Sequence, residues 1–233
     1  MATSADVKRE LQKHADAEKA KVLARFFKTG KGEYGEGDMF LGIVVPHQRT
    51  VAKRFRELPL AEVRTLLESP VHEHRLTALL ILTCQYPKAD VKGKRRIYEF
   101  YLRSTRYVNN WDLVDLSAPN IVGEYLRGRP RAILFRLARS KSLWERRIAV
   151  LATFAFIRQG ELRETFRIAE LLLGDRHDLI HKAVGWMLRE AGKRDGEALE
   201  DFLRRHAARM PRTMLRYATE RFPLQKRRRY LRL

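Results

Sequence analysis

The sequence predicts an all-α protein, and three observations carry that prediction. Apolar residues recur at spacings of three and four along most of the chain, no segment sustains the alternation of a strand, and prolines and short polar residues fall where helices should open. In chain order the helical series begins with Val7-Leu11, Val22-Leu23-Phe26-Phe27 and Val63-Leu66-Leu67. It continues through Leu76-Leu79-Leu80-Leu82, Ile97-Phe100-Tyr101, Ile133-Leu134-Leu137 and Ile148-Leu151-Ala152-Ala155. Leu162-Phe166-Ala169-Leu172, Ile180-Val184-Met187-Leu188, Leu199-Phe202-Leu203 and Met214-Tyr217-Ala218 complete it. Each series is read as a face turned to the core.

The punctuation agrees. Pro46, Pro59, Pro70, Pro130 and Pro211 stand where helices should begin, as proline does at a first helical position. Ser142-Leu-Trp-Glu145 reads as a capping box, in which Ser142 accepts from the Glu145 amide and the Glu145 carboxylate returns to the cap. Asn110 caps a helix opening at Trp111, and Asp112 suits the positive end of its dipole. Helix pairs recur about every 35–45 residues, the range of HEAT-like repeats. The expectation is therefore a curved α-solenoid over residues 1–233, one domain with a concave basic groove able to hold a cylinder such as duplex DNA.

Composition narrows the class of partner. Of 233 residues, 48 are Lys or Arg against 28 Asp or Glu, a net charge of +20. That surplus exceeds what solubility asks and points to a polyanion, whose binding would be strongly salt-dependent. Local basic runs are Lys94-Arg95-Arg96, Arg127-Gly-Arg129-Pro-Arg131 and Lys226-Arg227-Arg228-Arg229, the last in a basic C-terminal tail, 224–233. The 45% apolar and 33% charged content excludes a disordered or collagen-like chain. No apolar run has the length of a membrane span and the N-terminus lacks a secretory core, so a soluble intracellular protein is expected. Cys84, the single cysteine, excludes an internal disulfide and reads as a small buried hydrophobe.

Residues 28–38 form the long irregular segment. Gly30-x-Gly32-x-x-Gly35 matches a dinucleotide fingerprint only in form, because a helix rather than a strand precedes it. It reads as a flexible loop whose free amides, with Lys28 and Lys31, can approach phosphate. His177 and His181 share a helical face but lack a third ligand, and His72-x-His74 would diverge on a helix, so the histidines are read as ordinary surface residues and no metal is expected.

The tryptophans are more informative. Trp111 and Asp115 stand four apart in Asn109-Asn-Trp-Asp-Leu-Val-Asp115, so indole and carboxylate share a helical face. Trp144 precedes Arg146 and Arg147, and Trp186 lies in Lys182-Ala-Val-Gly-Trp-Met-Leu-Arg-Glu190. Together with Phe40-Leu-Gly-Ile-Val-Val-Pro46, these segments occur in an order and approximate spacing that resemble AlkD-type DNA alkylation-repair glycosylases, over about residues 15–222. The resemblance implies a HEAT-like repeat fold and removal of alkylated purines, typically 3-methyladenine and 7-methylguanine, from duplex DNA. By position it implies Asp115 as the catalytic carboxylate, Trp111 and Trp186 as active-site indoles and Arg147 as the functional arginine, with Trp144 packing. Asn110 stands where some members carry a second tryptophan, and Val44 where a polar residue can occur.

Those residue types suit the reaction. A methylated purine is already cationic and departs neutral, so one carboxylate that stabilises the oxocarbenium-like sugar and orients water suffices. Indole faces would attract the cationic nucleotide, and Arg147, with Arg146, would hold a backbone phosphate. Lys28, Lys31, Lys182 and Arg189 are further candidate DNA contacts. The reading implied is a monomeric, cytoplasmic, nucleoid-associated glycosylase of base excision repair that needs no cofactor. A non-catalytic HEAT-like protein for damaged or branched DNA, and a solenoid with an acidic protein partner, are the alternatives.

Overall fold

The computed structural model describes residues 2–232, and these form helices and turns, with one isolated parallel bridge between Met39 and Val71. The chain divides into two compact units, Met1–Ser117 and Ala118–Leu233. The first holds α1 (Ser4–Gln12), α2 (Ala17–Phe26), α3 (Val45–Arg54), α4 (Leu60–Leu67), α5 (His72–Gln85), α6 (Val91–Arg103) and α7 (Trp111–Ala118), which ends one residue past the boundary. The second holds α8 (Glu124–Leu126), α9 (Ala132–Ala138), α10 (Leu143–Ala152), α11 (Phe154–Ile157), α12 (Arg163–Leu171), α13 (Asp178–Gly192), α14 (Gly196–His206), α15 (Arg212–Ala218) and α16 (Leu224–Leu231). No helix among the described residues is long and apolar enough to cross a membrane.

Caps set the helix starts. Thr3 closes a capping box with Asp6, and the side chains of Asp16, Asp90 and Asp195 each accept from amides of the helix they precede. Ser142 accepts from the Glu145 amide as expected, but the return runs through Ser140, whose hydroxyl donates to the Glu145 carboxylate and accepts from the Ser142 amide. The prolines serve as entry residues more than as first residues. Pro59 and Pro211 are the N-caps of α4 and α15, Pro70 and Pro130 lie one residue earlier than the cap, and only Pro46 is within a first turn.

α5 is the core helix of the first unit: every residue from His72 to Leu82 is buried, with α3 and α4 packed against it. Burial on all sides explains its continuous apolar run Leu79-Leu-Ile-Leu82, which leaves little periodicity. α13 plays that part in the second unit, packed on α10, α14 and α15. Gly185 permits the α13–α15 contact, since a Cβ there would lie 2.5 Å from the Met214 carbonyl oxygen and the Tyr217 Cβ.

Three expectations change, and the basic tail gains a structure. The Val22-Leu23-Phe26-Phe27 face is not core: α2 buries no residue, Val22 and Phe26 are exposed, and only Phe27 just beyond it is buried. Cys84 is half-buried rather than enclosed, because α5 reaches a cleft at its C-terminal end, of about 430 Å³, that also contains Gln85, Arg56 and Arg96. The run from Ile148 to Ala155 is broken at Thr153, whose hydroxyl donates to the Val150 carbonyl and ends α10. The basic tail includes an ordered helix, α16, with Lys226 paired to Glu200.

Candidate active site

Trp111 and Asp115 lie one turn apart on α7, and both are half-buried. Asn110 stands at the cap position, its carbonyl accepting from the Val114 amide, but its side-chain oxygen accepts from the adjacent Trp111 amide at 2.8 Å and not from the second or third amide that a side-chain cap serves. Beneath the helix the Tyr101 hydroxyl bonds Ser117 Oγ at 2.9 Å. Burial, to which the Asp115 charge adds, holds that phenol well above its ordinary pKa, so it stays neutral under the carboxylate.

The Trp111 indole rests on an aromatic floor. Its ring lies 5.1 Å from Phe27 with 14° between planes, while Phe26 meets it edge-on at 5.8 Å. Phe27 stacks in turn on Phe40 at 5.1 Å, and both rings contact the imidazole of His72, at 4.8 and 4.6 Å. The floor exists because Phe40-Leu-Gly-Ile43 is folded around a buried carboxylate. Glu73 accepts from the amides of Leu41, Gly42 and Ile43 at 2.9 to 3.2 Å. Gly42 has φ +83°, and a Cβ there would lie 2.0 Å from the Asp16 carbonyl oxygen, so this turn admits only glycine.

His72 is the clearest departure from the sequence reading. It is 2% exposed and sits between two acids: Nδ1 is 3.1 Å from Asp38 and Nε2 is 2.8 Å from Asp112. Arg75 pairs with Asp38 at 2.6 Å. Burial disfavours the imidazolium, but Asp112 and Asp38 outweigh it and raise its pKa to about 9. Tertiary pairing, invisible in a local reading, overrides the surface preference of histidine. His74 is also buried; it bonds Ser69 Oγ, and burial pulls its pKa down to about 4.

In the glycine-rich segment 28–38 two of the amides are engaged within the loop: those of Gly30 and Gly32 donate to the carboxylates of Glu33 and Glu36. Lys28 is exposed at 3.9 Å from Glu33, and Lys31 is exposed. The loop's structural product is Asp38, delivered to His72 and Arg75.

The remaining candidates belong to the second unit. Trp186 is half-buried on α13, 6.1 Å from Phe154, and Trp144 is half-buried on α10. Arg147, expected to face phosphate, is only 5% exposed, because it lies on the inner face of α10 and donates to the Leu179 carbonyl in the first turn of α13. Arg146 is paired with Asp175 at 2.6 Å and donates to the carbonyls of Ser140 and Lys141. Lys182 pairs with Asp178, and Arg189 with Glu190 and Glu220. His177 caps α13 and His181 bonds the Asp175 carbonyl. Among the described residues no group of three or more His, Cys, Asp or Glu side chains is placed to hold a metal ion.

Among the described residues the protein is all-helical, and it sets an indole and a carboxylate on one face of a braced helix. The comparisons are more specific. Residues 7–222 match the family model described as DNA alkylation repair enzyme, and the chain belongs to that family. A solved structure titled predicted DNA alkylation repair enzyme, from Enterococcus faecalis, has a similar fold: TM-score 0.70 at 14% identity, covering 91% of this chain and 98% of that one. No similar curated protein was found.

Proposed function

We propose that the chain is a DNA glycosylase that hydrolyses the N-glycosidic bond of alkylated, positively charged purines, 3-methyladenine and 7-methylguanine, in duplex DNA, opening base excision repair. The observation that carries this reading is the pairing of Trp111 with Asp115 on adjacent turns of a braced helix, both partly exposed, in a member of the DNA alkylation repair family.

The chemistry follows from the leaving group. A methylated purine carries its positive charge before the bond breaks, so departure needs no general acid. As the C–N bond lengthens, positive charge moves onto the sugar. The Asp115 carboxylate offsets that charge and orients the water that adds to the anomeric carbon. The Trp111 face, held flat by Phe27, adds a cation–π attraction of about 0.5–2 kcal/mol. The +20 charge supplies sequence-independent affinity for the phosphates. Trp186 and Arg147 enter this reading through the family resemblance, and Arg147, being buried, is expected to act chiefly by holding α10 to α13.

The test is release of methylpurines from methylated duplex DNA by the wild type and by Asp115→Asn, with DNA binding measured separately. Release should fall by orders of magnitude in the variant while binding holds or tightens, since a negative charge near phosphate is gone. Equal release by both proteins would refute the assignment. A wild type that binds duplex DNA without releasing base would establish the non-catalytic alternative.

A further inference from the structure

We infer that His72 is a positioning residue for the proposed active site, fixing α7 by bridging Asp112 to Asp38 and fixing the Trp111 indole through Phe27. The inference rests on the functional reading above and adds a residue that neither motif nor family match singles out.

Two routes run from one imidazole to the site. The first is polar. Asp112 is the chain neighbour of Trp111 and stands three residues before Asp115, so its 2.8 Å contact with His72 Nε2 pins the first turn of α7. The other nitrogen, Nδ1, lies 3.1 Å from Asp38, tying that turn to the end of the 28–38 segment. The second route is aromatic: His72 packs on Phe27 and Phe40, and Phe27 lies parallel to Trp111. Loss of His72 would therefore release the carboxylate's helix and the indole's floor together.

The charge count is independent support. Asp38 and Asp112 bring two negative charges to a buried cluster, and Arg75 brings one positive charge, at 2.6 Å from Asp38. The cluster is neutral only when His72 is protonated. Asn110 Nδ2, 3.5 Å from Asp38, supplies a neutral donor and no charge. Burial opposes the imidazolium, the two carboxylates favour it, Arg75 on its own helix disfavours it, and the outcome is a pKa of about 9. Deprotonation in mild alkali leaves the imidazole one N–H to donate, so one of its two carboxylate contacts is lost.

The experiment compares wild type, His72→Gln, Asp112→Asn and the double variant in single-turnover release of 7-methylguanine with enzyme in excess, from pH 6.5 to 9.5. Affinity for undamaged duplex DNA and far-ultraviolet circular dichroism are recorded alongside. Expected for His72→Gln is a release rate at least about tenfold lower at pH 7.5 with duplex affinity within about twofold. Wild-type release should drop about fourfold by pH 9.5 as the imidazolium deprotonates, and His72→Gln should lack that limb. Asp112→Asn should cost less in the His72→Gln background than alone, because the two act as one unit. If His72→Gln fails to fold, the wild-type pH limb and its shift to lower pH in Asp38→Asn, which keeps Asp112 beside the ring, decide. Wild-type turnover by His72→Gln, or a pH limb unchanged by either variant, overturns the inference while a dead Asp115→Asn leaves the glycosylase reading standing. Normal turnover by Asp115→Asn would instead remove the reading beneath it.

Discussion

Replacing Glu73 tests whether the aromatic floor is held by one buried carboxylate. Glu73 is 1% exposed and serves three consecutive amides, Gly42 and Ile43 through Oε1 and Leu41 through both oxygens. Glu73→Ala removes every one of those acceptors. Leu41 is only half-buried and can turn to water, so the cost falls on the two buried amides, at about 1–3 kcal/mol each, plus the volume lost. We expect a destabilisation of about 4 kcal/mol. Glu73→Gln keeps an oxygen where Oε1 stands, so the amides retain a neutral acceptor and lose only the charge-assisted part of each bond. Charge-assisted bonds are roughly twice as strong as neutral ones, and relief of burying a charge offsets some of the loss, leaving about 1–2 kcal/mol. Urea unfolding monitored by circular dichroism measures both variants, and hydrogen exchange at Leu41 to Ile43 locates the effect. Phe40, at 4.6 Å from His72, should loosen with the turn, so methylpurine release should fall more in Ala than in Gln. An alanine variant no less stable than the glutamine one, or both within about 0.5 kcal/mol of wild type, would refute the reasoning.

Other outcomes follow from the same geometry. Gly185→Ala should cost about 1–3 kcal/mol in unfolding free energy, because its Cβ meets backbone of α15 rather than a flexible side chain; a neutral result would mean that α13 and α15 slide freely. With the folded pKa of His72 at about 9 against 6.5 unfolded, its stabilisation is complete below pH 6.5 and fades as pH rises through 9. Between pH 7 and 9 that loss is about 2 kcal/mol, and a stability curve flat over this interval would contradict it. His74 acts in the opposite sense. Its pKa falls to about 4, so its contribution is present above pH 6.5 and disappears as pH drops through 4; His74→Gln should flatten the acid limb of the unfolding curve.

Much of the architecture is written locally. The all-helical character follows from the three-and-four spacing, and α7 could be drawn from Asn110, Trp111 and Asp115 because an N-cap and an i,i+4 pair are relations between near neighbours. Periodicity failed where its premise failed. α2 has an apolar stripe yet leaves Val22 and Phe26 in solvent, since a stripe records that a face can be buried and not that another helix covers it. α5 shows the converse: every residue from His72 to Leu82 is buried, far more than the series Leu76-Leu79-Leu80-Leu82 marks. The basic residues show a third limit. Arg146, Lys182 and Arg189 count toward the net charge in sequence, but each is engaged by a carboxylate in the fold.

From sequence alone come the helices, the surplus of positive charge and the motif that puts an indole and a carboxylate on one helical face. Only the tertiary structure decides what braces them, because Asp38, His72 and Asp112 come from three distant segments and their charges acquire meaning at contact distance. A buried charge is costly unless paired. Which partner it finds depends on how helices pack, and no local pattern of residues encodes that.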